Sequence, residues 1–225
     1  MVALDNNAIL GSVRIRRLKF TPKFTMAPLV GGIALVTLVL VLGAVIAHGF
    51  AENGFRLGSR LAWRYTFFVF FAALVAPAFC RLANRFFPSF SCPESLAHKL
   101  IWGFCASYGV YLLSVFLPDV VRLSGGATLM VLFGGTVAAG MAVTAAPLKR
   151  LGGKPLIGER TRRAILSTAI VYFWSCYSLM ALARISGPHR PDAFYDISLL
   201  LMMAALLLCY ADRWFARRDQ TAAAV

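Results

Sequence analysis

Two stretches of this sequence place hydroxyl-bearing side chains at helical spacing, and these residues are the first candidates for chemistry. One row consists of Phe104, Tyr108, Tyr111 and Val115. The other row consists of Thr168, Tyr172 and Ser175. Residues three or four positions apart share one face of an α-helix. Because polar side chains in an apolar helix need partners, both rows are expected to face the interior of a helical bundle.

Two interpretations of these rows stay open. In the first, the hydroxyl groups only form hydrogen bonds between helices, each contributing about 0.6 kcal/mol on average. In the second, the rows line a pocket for a flat cofactor or a quinone, and the cofactor-binding residues are Tyr108, Tyr111, Tyr172 and Ser175.

The histidines define a second candidate site. His98 is predicted at one end of the third helix and His48 at the opposite end of the first, so a membrane thickness separates them and they cannot share a metal ion. His48 and His189 are predicted on the same side, near Glu52 and Asp192. Both are therefore candidate metal ligands, although interfacial histidines more commonly bind no metal.

The composition determines which elements must position these residues. The chain has 225 residues, of which 60% are hydrophobic and 14% are charged, and its mean hydropathy is +0.74. A soluble domain is roughly a quarter charged, so this composition excludes one. Six blocks without a charged residue contain 28, 16, 19, 26, 20 and 15 residues. They predict an all-α fold, a polytopic membrane protein with a bundle of six transmembrane helices.

The shorter blocks need their flanks to cross a membrane. At 1.5 Å per residue, 16 residues span roughly 24 Å of a hydrocarbon core that is about 30 Å thick. The second helix is therefore predicted at about residues 62–83, with Arg64 and Arg81 snorkelling from its ends. The fourth predicted helix carries small residues at four-residue spacing, which would place it centrally in the bundle. These small residues are Gly134, Gly135, Ala138, Ala139, Gly140 and Ala142.

The distribution of basic residues predicts the orientation. The formal net charge is +14, and 17 of the 23 lysines and arginines fall on one predicted side, against 6 on the other. The positive-inside rule therefore predicts a multi-pass protein of the cell inner membrane with both termini cytoplasmic. The predicted divisions are a basic cytoplasmic segment at 1–26, a transmembrane domain at 27–215 and a short cytoplasmic tail at 216–225.

The basic surface also predicts partners. Because orientation accounts for most of the charge, the expected partners are the lipid bilayer and a membrane or cytoplasmic protein, and not a nucleic acid. The connection between the fourth and fifth helices is the most basic. Its candidates for contact with a lipid head group or a protein are Lys149, Arg150, Arg162 and Arg163.

The cysteines predict no disulfide. The five cysteines form no C-x-x-C pair, and all lie within predicted spans or on the predicted cytoplasmic side. Thiols stay reduced in the cytoplasm, so we expect free cysteines.

Short motifs between residues 30 and 215 suggest a family. They are Gly58-Ser59-Arg60 before the second helix, the aromatic third helix, Thr144 and Lys149-Arg150-Leu151-Gly152 after the fourth, and Arg162-Arg163 before the helix that contains Tyr172. With these motifs the chain resembles the ferric-reductase-like transmembrane domain family, in particular the heme-binding membrane subunits of methionine sulfoxide reductase systems.

The resemblance implies a membrane redox protein whose usual heme ligands are missing. Members of the family hold b-type heme with histidines on the third and fifth helices, where this chain has Tyr111, Arg162 and Ser175. The function it implies is that of an accessory or quinone- or lipid-binding component of a membrane redox complex. Two alternatives stay open: a heme-binding electron-transfer subunit with phenolate ligation, or a non-redox scaffold or assembly subunit. No catalytic residue is assigned.

Overall fold

The computed structural model describes residues 26–50, 52–87, 95–122, 126–145, 158–186 and 192–223. The helices in these ranges are α1 Met26–His48, α2 Glu52–Phe86, α3 Ser95–Arg122, α4 Gly126–Ala145, α5 Glu159–Ile185 and α6 Ala193–Ala223. No strand occurs in these ranges, so the predicted all-α class is confirmed there. Helices satisfy their own backbone hydrogen bonds, which an apolar environment requires.

Five of the described helices are long and apolar enough to cross a membrane: α1, α2, α3, α5 and α6. The described apolar part of α4, Phe133–Ala142, is shorter. The chain therefore has the helices of a multi-pass membrane protein.

Two helices are longer than the sequence pattern predicted. Helix α2 begins at Glu52 rather than near residue 62, and its 35 residues span about 52 Å. Helix α6 continues to Ala223, into the predicted tail. Charged residues end an apolar block, but they do not interrupt backbone hydrogen bonding, so the helices extend beyond the apolar blocks.

The helices pack side by side, and α2 and α3 each contact three other helices. Helix α1 contacts both of them, α4 lies between α3 and α5, and α6 joins α5 to α2. Helices α2 to α6 thus form a ring, and α1 packs outside it. Two ion pairs join α2 to α6, one between Arg64 and Asp192 and one between Arg81 and Asp212. Since the lower-numbered partners pair with each other, α2 and α6 run in the same direction.

The two ends of the bundle differ in their residues. The basic end carries Arg81, His98, Arg162 and Asp212, and the distal end carries Arg64 and Asp192. Helices α3 and α5 begin at the basic end, where α2 and α6 finish.

Small residues let α1 approach its neighbours closely. A Cβ atom at Gly58 would lie 3.1 Å from the carbonyl oxygen of Val41, and one at Gly54 would lie 3.1 Å from the Cα of Val45. Thr37 and Ser107, both fully buried, form a hydrogen bond of 2.7 Å between α1 and α3. Because the Thr37 hydroxyl donates to the carbonyl of Ile33, Ser107 is the donor in that bond.

The fourth helix is not central, which corrects the prediction from its small residues. Among the described helices α4 packs mainly against α3 and α5, whereas α2 and α3 each pack against three helices, including α1. Its Gly134 makes room for a side chain rather than for a backbone. A Cβ atom there would lie 2.5 Å from the hydroxyl oxygen of Tyr108.

One cysteine also departs from the prediction. Cys80, near the end of α2, is disulfide-bonded, whereas Cys105, Cys176 and Cys209 are free. A disulfide depends on proximity in space and not on spacing in the sequence, so the absence of a C-x-x-C pair did not exclude it. Cys92 lies outside the described residues.

Candidate functional site

Aromatic rings fill the middle of the ring of helices. This aromatic cluster consists of Trp63, Phe67 and Phe70 of α2, Phe104, Tyr108 and Tyr111 of α3, and Phe173 and Tyr177 of α5. Ring centroids lie 4.3 Å apart for Trp63 and Tyr177, and 4.8 Å apart for Phe104 and Phe173. Tilted and edge-to-face contacts at such distances are favourable aromatic geometries. The cluster therefore joins α2, α3 and α5 across the interior.

The predicted α3 row faces the interior. Phe104 is 0% exposed and Tyr108 is 6% exposed, and Tyr111 packs against the same cluster. The rings of Tyr108 and Tyr111 have centroids 5.6 Å apart. The two phenols are brought together as the spacing predicted, and their role as ligands stays a prediction.

The buried face of α5 is displaced by one position from the predicted row. Its buried residues include Ala169, Phe173, Tyr177 and Ala181, at four-residue spacing, and Ser178 beside them is buried as well. Thr168 is exposed, and Tyr172 and Ser175 are half-buried. The Tyr172 ring contacts Phe133 of α4, with centroids 5.3 Å apart. Aromatic volume, rather than the polar spacing, selects the face that packs inward.

Tyr177 is the interior residue that the polar pattern missed. It is 3% exposed, and its hydroxyl interacts with the side chain of Thr66 but makes no hydrogen bond of good geometry within the described part of the chain. In the sequence, only its four-residue spacing from Phe173 indicated that Tyr177 faces the interior. Sequence reasoning alone could not choose between this spacing and the row that contains Tyr172.

The residues between α3 and α5 do not fit a heme. The edge-to-face contact of Phe104 with Phe173 occupies the space between these helices, and both side chains are no more than 1% exposed. The hydroxyl of Tyr108 lies against Gly134 of α4. A phenolate ligand would need open space in front of its oxygen for the macrocycle, and the aromatic cluster leaves none there.

A cavity of about 490 Å³ lies between α2, α3 and α5 at the basic end. Ligand pockets in proteins have volumes of roughly 300–1,000 Å³, so this cavity is large enough for a ligand. Helix α2 contributes small side chains to its wall, including Ala73, Ala76 and Pro77. Its lining does not include the four tyrosine and serine positions predicted for a ligand.

The cavity changes from apolar to polar along its length. On α5, Ile170 and Leu166 line it, and Arg162, which is not part of the lining, lies four residues before Leu166, near the start of the helix. On α3, His98 lies one turn before Ile101 in the same way. On α2, the lining runs from Ala73 to Arg81 and Asn84, which are exposed. Three helices thus give the cavity an apolar interior and a polar mouth.

The mouth contains a hydrogen bond of defined chemistry. Nη2 of Arg162 lies 3.2 Å from Nε2 of His98. A guanidinium can only donate, so Nε2 of His98 is the acceptor and the neutral imidazole carries its proton on Nδ1. Both residues therefore present N–H donors at the mouth of the cavity.

An ion pair lies on the α2 side of the mouth. Arg81 lines the cavity and forms hydrogen bonds with both carboxylate oxygens of Asp212, at 2.9 and 2.5 Å. Asp212 is 8% exposed, whereas the Arg81 side chain is largely exposed. The pair connects the cavity wall to α6.

Several predicted site residues lie elsewhere. Lys149, Arg150 and His189 lie outside the described residues. Arg163 is exposed, and His48 is exposed at the end of α1. Within the described ranges, no group of three or more histidine, cysteine or acidic side chains could hold a metal ion.

No protein-family model, no curated protein and no solved structure matches this chain. The resemblance to ferric-reductase-like proteins therefore stays a prediction.

Proposed function

We propose that the protein is an accessory subunit of a membrane complex and that it holds a bilayer amphiphile, a quinone or a lipid, in the cavity at its basic end. The observation that carries this proposal is the polarity of the cavity, apolar toward the aromatic cluster and rich in N–H donors at the mouth. Pockets of this kind orient a mainly apolar ligand through a few polar contacts. The motif resemblance favours a redox complex as the assembly.

The proposed orientation is six membrane-crossing helices with both termini in the cytoplasm. The excess of 17 basic residues over 6 supports it, whereas the disulfide of Cys80 at the basic end counts against it, because cytoplasmic thiols stay reduced. The parallel run of α2 and α6 supports it too, because an even number of reversals must separate them. In this orientation the cavity opens toward the cytoplasmic leaflet of the inner membrane. A reporter enzyme that is active only outside the cytoplasm, fused to the C-terminus, is expected to stay inactive.

The test of ligand binding is extraction of the purified protein. The wild-type chain, isolated in a mild detergent, should release one quinone or phospholipid per molecule when analysed by mass spectrometry. Ala76→Phe, which fills the cavity wall, should release less than a tenth of that amount and keep its helical circular dichroism. Leu113→Phe, on an exposed face of α3, is the matched control and should retain the ligand.

Two outcomes would contradict the proposal. A Soret band that shifts on reduction with dithionite would show heme and favour the electron-transfer alternative. Extracts without quinone or phospholipid, together with a stably co-purifying protein, would favour the scaffold alternative, in which the aromatic cluster serves only packing.

A further inference from the structure

The cavity at the basic end has a disulfide in its wall. Cys80 of α2 lines the cavity and is half-buried, and its sulfur is disulfide-bonded. The other described cysteines, Cys105, Cys176 and Cys209, are free, so the second sulfur of the bond comes from outside the described residues. Among the described residues of the lining, Cys80 is the one that can take part in an exchange of two electrons.

The proposed orientation gives this disulfide a meaning. The basic end then faces the cytoplasm, where glutathione and thioredoxin keep thiols reduced. A disulfide that meets these thiols persists only where an oxidant restores it, and cytoplasmic disulfides usually belong to catalytic or redox-sensing pairs. The position of Cys80 therefore indicates a pair that is reduced and oxidised again, rather than a structural crosslink.

This redox chemistry distinguishes between the two classes of amphiphile proposed for the cavity. The oxidation of two thiols to a disulfide releases two electrons and two protons, which an acceptor must take up. A quinone takes up both and becomes a hydroquinone, whereas a phospholipid accepts no electrons. Of the two ligands, only a quinone can therefore restore the disulfide of Cys80.

The geometry of the wall suits a quinone without reference to net charge. The α2 residues of the wall share one face at helical spacing. They are Ala73, Pro77, Cys80 and Asn84. Cys80 thus stands between the apolar interior and the polar mouth. At the mouth, the amide of Asn84 and Nδ1–H of His98 are neutral donors for the carbonyl oxygens of a quinone.

Resting on the proposed function, we infer that Cys80 and its disulfide partner form a redox-active pair that a quinone in the cavity oxidises. Sγ of Cys80 adds to a ring carbon of the quinone, and the thiolate of the partner cysteine then attacks Sγ. The S–S bond forms as the C–S bond breaks, the electron pair stays on the ring, and the two thiol protons complete the hydroquinone. Thiols of a cytoplasmic protein or small molecule supply electrons by reducing the disulfide again.

The experiment follows thiols and quinone together in the purified full-length protein. The protein in mild detergent is reduced with dithiothreitol, freed of the reductant in the absence of oxygen, and mixed with a short-chain ubiquinone. Alkylation with a maleimide of high mass counts the remaining thiols, and absorbance measures the hydroquinone. We expect the loss of two thiols for each quinone reduced. Digestion without reductant should then recover a peptide that is crosslinked at Cys80.

Matched variants test whether the reaction belongs to Cys80 and to the cavity. Cys80→Ser should abolish both changes. Cys209→Ser removes a free thiol at the same end of the bundle, one turn before Asp212, and should react as the wild type does. Ala76→Phe, which fills the cavity wall, should slow the reaction about tenfold because it displaces the quinone, whereas Leu113→Phe should not. The phenylalanine variants keep the pair intact if the serine variant is unstable.

The failures of the two proposals differ. If the wild type yields a quinone or phospholipid that Ala76→Phe loses, but its reduced form keeps its thiols when quinone is added, the proposed function stands and the redox pair is overturned. Equal rates in the wild type and Ala76→Phe, or quinone reduction by Cys80→Ser, would also overturn the redox pair. So would a disulfide that dithiothreitol reduces only after unfolding. If neither ligand is extracted and quinone leaves the thiols unchanged, both proposals fall.

Discussion

The guanidinium of Arg81 on α2 binds both carboxylate oxygens of Asp212 on α6, with Nε 2.9 Å from Oδ1 and Nη2 2.5 Å from Oδ2. Bidentate pairs of this kind combine charge with a fixed geometry. The two residues are 131 positions apart, and together with Arg64 and Asp192 they hold the first and last helices of the ring at both ends. The ring of α2 to α6 is thereby closed by electrostatics as well as by packing.

Removing the carboxylate of Asp212 should destabilise the protein. Asp212→Asn leaves Arg81 without its charged acceptor, and losing hydrogen bonds to a charged group costs about 1.5–3 kcal/mol. The expected result is a lower midpoint of unfolding in detergent, followed by circular dichroism.

The control for this variant is Asp196→Asn, near the other end of α6, where the carboxylate is exposed. Its effect should stay within about 0.5 kcal/mol. Equal losses in the two variants would show that net charge, and not the pair with Arg81, stabilises the fold.

The ion pair at the distal end should make the free energy of unfolding depend on pH. The hydrogen bond from Arg64 holds the pKa of the Asp192 carboxyl below its usual range, with a smaller contribution from the backbone N–H of Phe194. A depressed pKa stabilises the folded state above the unfolded pKa of about 3.9 and loses that contribution as the pH falls through the folded value.

The pH dependence can be isolated with Asp192→Asn. The unfolding midpoint of the wild type should exceed that of this variant at neutral pH, and the difference should disappear below about pH 4. Because the pair is exposed, 1 M salt should reduce the difference at neutral pH. The measurement is the difference in unfolding midpoint between the two proteins from pH 7 to pH 3. A difference that does not change with pH would contradict the role of the carboxylate charge.

Glycines on α1 and α2 should respond oppositely to the same substitution. Gly54→Ala places a Cβ atom against the backbone of Gly49 and Val45, so the helices must separate, at a cost of about 1–3 kcal/mol. Gly43→Ala meets open space, and removing a mid-helix glycine gains roughly 0.5–1 kcal/mol. Unfolding in detergent should therefore give opposite signs, and destabilisation by both would indicate that α1 is not packed as described.

Two substitutions in the aromatic cluster should separate the contribution of ring volume to stability from the contribution of a buried hydroxyl group. Phe173→Ala removes a ring that is 1% exposed and should cost about 3–5 kcal/mol. Tyr177→Phe removes a buried hydroxyl that interacts with Thr66 without a hydrogen bond of good geometry to any described residue, so its stability should stay within about 1 kcal/mol of the wild type. A loss of more than 1 kcal/mol, roughly the value of one hydrogen bond, would show that the hydroxyl has a bound partner.

The α3 and α5 rows show how far helical spacing can be used. On α3, polar and aromatic residues share one face, so the spacing identified the buried Phe104 and Tyr108. On α5, two candidate faces lie one residue apart, and packing selected the one with Phe173 and Tyr177. Spacing gives the period of a helix, but its rotation depends on which side chains fill the space left by its neighbours.

The all-α class and the positions of the apolar helices can be predicted from the order of residues alone, because the hydrophobicity of a helix is a local property of consecutive residues. The order of residues also identified Arg162 as a candidate head-group contact from its place in a basic connection. Nothing in the order of residues indicates that Arg162 contacts His98 or that Arg81 contacts Asp212. Partners 64 and 131 positions apart become neighbours through helix packing, and the cavity exists only where three helices meet.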